Sequence, residues 1–187
     1  MDGSVIVLPN EKALVTRAKA EPEAFAAIYD HYFPRIYNYI RYRVDHQENA
    51  EDLTAQVFEK ALTRLNQYSP ERGSLANWLF SIARHAVGDH LRAKKRRRWC
   101  SIEVLISRHC GDPPLEEIVI QTDLHAQVLK AVAELQDRER ELIALKFGAR
   151  LTNRHIADLT GLSESNVGVI LYRTVQQLRT MLIEKEQ

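Results

Sequence analysis

Apolar residues recur along most of this chain at helical spacing. From Pro22 onward, Phe25, Ile28, Tyr29, Tyr32, Phe33, Ile36, Tyr37, Ile40 and Val44 follow one another at steps of one, three and four. Together they form one stripe over about six turns of helix. Pro34 lies inside that stripe and predicts a kink or break, because proline lacks the amide the helix needs. Asn49, with Asp52 three residues later, resembles an N-cap opening a second helix whose stripe is Leu53, Val57, Ala61 and Leu65. Tyr68 to Ser74 carries Ser69, Pro70 and Gly73 and reads as a loop. Ser74 then caps a third helix with Leu75, Trp78, Leu79, Ile82, Ala86 and Leu91, and this spacing assigns Trp78 to the core.

Beyond Arg98 the pattern is lost until Asp123, with Gly111, Pro113 and Pro114 interrupting; the stretch reads as a tether with room for one short helix. Periodicity resumes at Leu124 with Val128, Ala131, Val132 and Leu135, and Asp137 is placed to cap a helix holding Leu142, Ile143, Leu145 and Phe147. Thr152 caps a short helix with Ile156, Ala157 and Leu159. Gly161 makes a tight turn, and Ser163 caps a last helix with Val167, Ile170, Leu171, Val175, Leu178 and Leu182. No strand alternation is found. The expectation is an all-α chain of two small helical domains, 21–98 and 124–187, joined by a linker over 99–123 and preceded by an N-terminal extension over 1–20.

At 187 residues the chain is little more than one domain of roughly 150 residues. The 45% apolar and 27% charged content excludes wholesale disorder. The longest apolar run, Ala24 to Tyr29, is six residues against the ~20 a membrane helix needs, so no membrane span is expected. The N-terminus lacks a basic start and a secretory apolar stretch, which points to the cytoplasm. Cys100 and Cys110 read as free thiols.

A net charge of +1 hides a segregation. Arg84 to Arg98 carries +6 while the rest of the chain sums to −5, and Glu48 to Glu59 and Gly111 to Asp123 carry only acids. Separate positive and negative faces imply more than one kind of partner. The sharpest motif is Ile156-Ala157, Gly161-Leu162 and Val167 with Ile170. Ala157 is small enough for two helices to cross closely, and Gly161 supplies the positive φ of a helix-turn-helix. The outward face of the second helix is then Ser165, Asn166, Gly168, Val169, Tyr172 and Arg173, which suits base edges, a thymine methyl and phosphates. The bland alternative is a helical hairpin, which has little use for Gly168 in mid-helix.

The basic run Arg92 to Arg98 extends a helix that also carries Arg84, His85 and His90, after a loop holding Tyr68 and Arg72. Cations beside aromatics suit single-stranded DNA, where stacking contributes ~1–3 kcal/mol per base. A merely solvated charge run is the alternative. Enzyme chemistry is not expected: the chain has no Walker lysine loop and no glycine fingerprint. Cys100, His109 and Cys110 match no common zinc spacing, so neither metal nor cofactor is expected. Asp89 with His85 and His90 is the one cluster a nuclease could use.

In order and spacing, Ala50-Glu51-Asp52-Leu53 through Val57-Phe58, Trp78 to Arg84 followed by Asp89-His90-Leu91-Arg92, Leu135 to Arg140, and Ile156 through Arg173 resemble an extracytoplasmic-function sigma factor. This is a family of bacterial promoter-specificity subunits of RNA polymerase, and the resemblance spans about Glu21 to Glu184. It implies that 21–98 is sigma region two and 124–187 region four. Asp52, Leu53 and Gln56 would dock on the beta-prime clamp of core polymerase. The minus-ten strand would be held by Tyr68, Arg72, Ser74, Asn77, Ser81, Arg84, His85, Arg92, Lys94 and Lys95. The face Ser165, Asn166, Gly168, Val169, Tyr172 and Arg173 would read the minus-35 element while region four sits on the beta flap, and an anti-sigma protein would control the chain in trans. The chain departs from the family at Ala55-Gln56, where Gln-Glu is common, and at Gly168-Val169-Ile170, where charge is stripped from the recognition helix. The competing expectation is an autonomous dimeric helix-turn-helix regulator reading a palindrome.

Overall fold

A computed structural model describes residues 10–101 and 121–184, and the side chains of 10–97 and 126–183. Among these residues all regular structure is helical. The first helix, α1 (Glu11–Ala20), falls in the stretch that reads as an extension. Only Leu14, Val15 and Ala18 face inward, too few to stand out as a stripe. Tertiary contacts hold it instead: Glu11 Oε1 accepts from the Leu75 amide (3.1 Å) and Lys19 Nζ donates to the Tyr68 carbonyl (2.8 Å).

A 3₁₀ turn at Pro22–Ala24 leads into α2 (Phe25–Arg43), which runs unbroken through Pro34. The expected kink does not form. Pro34 is exposed, and Ile28, Tyr32, Ile36, Tyr39 and Ile40 on either side of it are buried, so packing outweighs one lost hydrogen bond. The second helix, α3 (Gln47–Arg64), begins before Asn49, which lies inside it and not at its cap. Val44 and His46 are extended, and Ala50, fully buried, donates its amide to the His46 carbonyl, which sets the start three residues earlier. The third, α4 (Leu75–Ser101), is capped as expected, Ser74 Oγ accepting from the Asn77 amide at 3.2 Å. Trp78 is only half-buried, its ring against Tyr68.

The second domain comprises α5 (Gln121–Ala133), α6 (Asp137–Ile143), a π-helical turn (Ala144–Gly148), α7 (Asn153–Thr160) and α8 (Glu164–Glu184). Gln136, not Asp137, is the cap of α6; the Asp137 carboxylate is drawn instead to Arg43, whose Nη2 donates to it at 2.6 Å. Thr152 and Ser163 do cap α7 and α8, accepting from the His155 and Asn166 amides at 3.2 Å each. Ile156, Val167 and Leu171 are buried beneath the turn.

Gly161 takes φ 72°, and a Cβ there would meet nothing within 4 Å. Gly161→Ala should therefore cost only the backbone term, about 1 kcal/mol. A thermal melt of the variant should fall by roughly 2–4 °C, and an unchanged midpoint would refute that account of the turn.

The two domains pack together, chiefly α2 against the π turn and α4 against α7. Gly148 sets the approach: a Cβ there would stand 3.0 Å from the carbonyl carbon and oxygen of Asn38 and from the amide nitrogen of Tyr39. The tether, with its expected short helix, lies outside the described residues.

Candidate nucleic-acid interface

At 100° per residue, Asn77, Ser81, Arg84, His85, Gly88, Arg92 and Lys95 fall within an arc of about 100° on α4. Most of the residues that the sequence proposes for single-stranded DNA are thereby one stripe. His85 Nδ1 bonds the Ser81 carbonyl (2.6 Å), and Arg92 pairs with Asp89 (2.5 Å), a pair too exposed to neutralise either group appreciably. Lys94 points elsewhere. It meets Asp45 in the α2–α3 connection, and this hydrogen bond, with the charges of Lys94 and Arg140, holds the Asp45 carboxyl below the usual range. His90 is pushed down by burial and by the charges of Lys94 and Arg97, against the opposing pull of Asp45.

Two clefts flank the middle of the stripe. One, of about 540 Å³, is lined by Tyr68, Arg72, Ser74, Asn77, Trp78 and Ser81 from the first domain and by Asp158 and Leu159 from the second. Tyr68 is 4% exposed, its hydroxyl donating to the Gly73 carbonyl (3.1 Å), so it serves as floor while Trp78 stands at the wall. Burial first, then Glu11 and Glu71, pushes the Tyr68 phenol up to about 12. Asn77 Oδ1 is buried without a partner, an unmet acceptor suited to an exocyclic amine. The other cleft, about 640 Å³, sets Arg43, Arg84, His85, Arg92 and Lys95 opposite Asp137 and Glu141.

On α8, Ser165, Asn166, Val169, Tyr172 and Arg173 all face solvent, Tyr172 at 68% and Val169 at 45%. Gly168 is half-buried beside Asn153. Apolar groups held outward between polar ones suit a groove floor bearing both methyls and hydrogen-bonding edges. On α3, Asp52 and Gln56 are exposed with Glu48, Glu51 and Glu59, an acidic face, but Leu53 is 5% exposed and belongs to the core beneath it. Beside that face the rings of Tyr29, Phe33 and Phe58 cluster at 4.6–6.2 Å.

Sequence reasoning missed the residues that join the domains. Arg35 Nε donates to the Ala149 carbonyl (2.9 Å), Arg43 grips Asp137, and Arg140 Nε donates to the Tyr42 carbonyl (2.7 Å). Each partner lies about a hundred residues away in sequence, so no local signal exists. Among the described residues no group of His, Cys, Asp and Glu could hold a metal, and no helix is long and apolar enough to cross a membrane. The Cys100, His109 and Cys110 side chains lie outside them.

Residues 28–97 match the Sigma-70 region 2 family and residues 125–178 the Sigma-70 region 4 family. The chain is similar to the ECF RNA polymerase sigma factor BldN of Streptomyces coelicolor, 32% identical over 90% of this chain, and spans 64% of that protein's length. It is 28% identical to the ECF sigma factor RpoE of Cereibacter sphaeroides, covering 87% of this chain and 88% of that one. Among solved structures, CnrH in complex with the cytosolic domain of CnrY superposes with a TM-score of 0.70 at 19% identity, over 93% of this chain and 97% of that one. The sigma factor RpoE in complex with the anti-sigma factor NepR from Bartonella quintana gives 0.66 at 21% identity, over 84% and 96%. At such identities the likeness is one of fold.

Proposed function

Because this chain belongs to the extracytoplasmic-function sigma factors, we propose that it binds core RNA polymerase and directs promoter-specific initiation, region two holding the melted minus-ten strand and region four reading the minus-35 duplex. The observation that carries this reading is that one chain bears two unlike nucleic-acid faces: the basic stripe of α4 and the open face of α8. A cationic groove with aromatics suits unpaired bases, and a helix presenting Asn166, Val169, Tyr172 and Arg173 suits a major groove. The acidic face of α3, with Asp52 and Gln56 outward, is the docking surface for the polymerase clamp, and region four takes the flap.

Opening about ten base-pair steps costs on the order of 14 kcal/mol at ~1.4 per step. With no nucleotide-hydrolysis motif in the sequence, captured bases and the polymerase share that cost, and the chain works in the cytoplasm as a binding factor without enzymatic turnover. The autonomous dimeric regulator leaves the α4 stripe without a task. Since CnrH and RpoE were each solved with a partner protein, control by an anti-sigma protein is part of this reading.

Runoff transcription on genomic fragments tests it: core polymerase with this chain should initiate at discrete sites where core alone does not. Tyr172→Ala with Arg173→Ala should reduce initiation at least tenfold, at about 1–3 kcal/mol per good base contact, and should cost nothing further on a template whose minus-35 element is scrambled. A holoenzyme no better than bare core on every fragment would refute the reading.

A further inference from the structure

The stripe that α4 presents is covered by the second domain of the same chain. Arg84, at its centre, donates Nε to Glu141 Oε1 (2.7 Å) and Nη1 to the Leu159 carbonyl. Asp158 and Leu159 close over Asn77 on one side, and Asp137 and Glu141 face Arg92 and Lys95 across the cleft on the other. A guanidinium is thus met by a carboxylate oxygen and by a carbonyl of the last turn of α7, the negative end of that helix. These are the acceptors a phosphodiester would otherwise bring.

We propose that region four is an intramolecular substitute for single-stranded DNA, its Asp137, Glu141 and Asp158 carboxylates and the C-terminal carbonyl of α7 occupying the strand-gripping stripe of region two until the domains part. The proposal rests on the sigma reading for the identity of the displaced ligand. Arg84 already gives Nε and Nη1 to region four, and the Glu141 carboxylate beside it repels a phosphate, so closure and strand binding compete.

The contact is also built to release. Arg35, 8% exposed, crosses the interface with the Ala149 carbonyl as its hydrogen-bond partner, Nη1 unmet and the rings of Tyr32 and Phe80 against it. Among the described residues no carboxylate pairs with it, and Arg150 nearby adds like charge and a left-handed φ of 55°. Parting the domains returns that guanidinium to water, which offsets the loss of the other contacts.

Fluorescence polarisation of the full chain with a labelled single-stranded oligonucleotide tests this, with small-angle scattering reporting closure. Gly148→Val places side-chain atoms against the α2 backbone, while Glu141→Gln with Asp137→Asn removes two of the three substitute carboxylates, leaving Asp158, without touching the stripe. Apparent affinity equals intrinsic affinity times the open fraction. A chain closed nine-tenths of the time or more should therefore bind at least tenfold tighter once opened. Gly148→Val should expand the chain and give that gain, and adding Arg84→Ala should abolish most of it. The carboxamide pair should raise affinity in the same direction and carries the test should Gly148→Val fail to fold. Unchanged affinity in the variants, or a gain that survives Arg84→Ala, overturns the masking. Runoff transcription separates the two ideas: initiation with unchanged oligonucleotide affinity sinks only the masking, whereas tighter binding without initiation sinks only the sigma reading.

Discussion

Phe80→Ala is expected to lower the free energy of unfolding by about 3–5 kcal/mol, at least about a fifth of the ~5–15 kcal/mol a domain of this kind possesses. The ring is wholly buried, edge-on to Tyr39 with centroids 5.9 Å apart, and its face lies 6.0 Å from the Arg35 guanidinium. Truncation removes the apolar area, leaves a cavity between α2 and α4, and strips one aromatic wall from a buried charge that has no carboxylate partner among the described residues. Phe80→Leu keeps most of the volume and should cost roughly 1.5 kcal/mol or less. Urea unfolding followed by circular dichroism measures both. A loss below about 1 kcal/mol for the alanine variant would mean that α4 is not anchored through this ring.

Replacing Arg92, Lys95 and Arg96 together by glutamine should weaken capture of a premelted promoter by holoenzyme about 100-fold at 0.1 M salt, at ~0.7 per charge in the salt slope of a single strand. Their directions span about 100° on α4 at 100° per residue, and all three are exposed. The same relation predicts only about a tenfold loss near 0.3 M salt, so a salt titration distinguishes lost phosphate contacts from misfolding, which would not fade with salt. Capture of an intact minus-35 duplex should not change. An equal loss at both salt concentrations would place these charges off the strand's path.

What could be read along the chain was what neighbouring residues decide among themselves. Ser74, Thr152 and Ser163 cap the helices assigned to them, and Gly161 takes the left-handed turn, because each interaction closes within three or four residues. Asp137 was misread for the complementary reason. Its carboxylate could serve the amides of α6 or a guanidinium on α2, and Arg43, buried and in need of an anion, prevails. Pro34 signals a break only if one hydrogen bond outweighs the five large side chains buried around it. Leu53 shares a stretch with Asp52 and Gln56, but its spacing places it in the core. The helix α1 does not stand out in the sequence because a stripe of three apolar residues is distinctive only once α4 and Tyr68 are present to meet it.

By itself the sequence determined helices, caps and the Gly161 turn, and it proposed the faces of α4 and α8 for nucleic acid, since periodicity and local hydrogen bonding are written within a few turns. Only the tertiary structure decided that those faces are not equally available. Arg84 lies against Glu141 and Leu159, and Gly148 lies on α2, through contacts spanning 57 residues or more of chain. Such pairings depend on where whole helices come to rest, which depends on the sum of buried area and not on any one residue's neighbours.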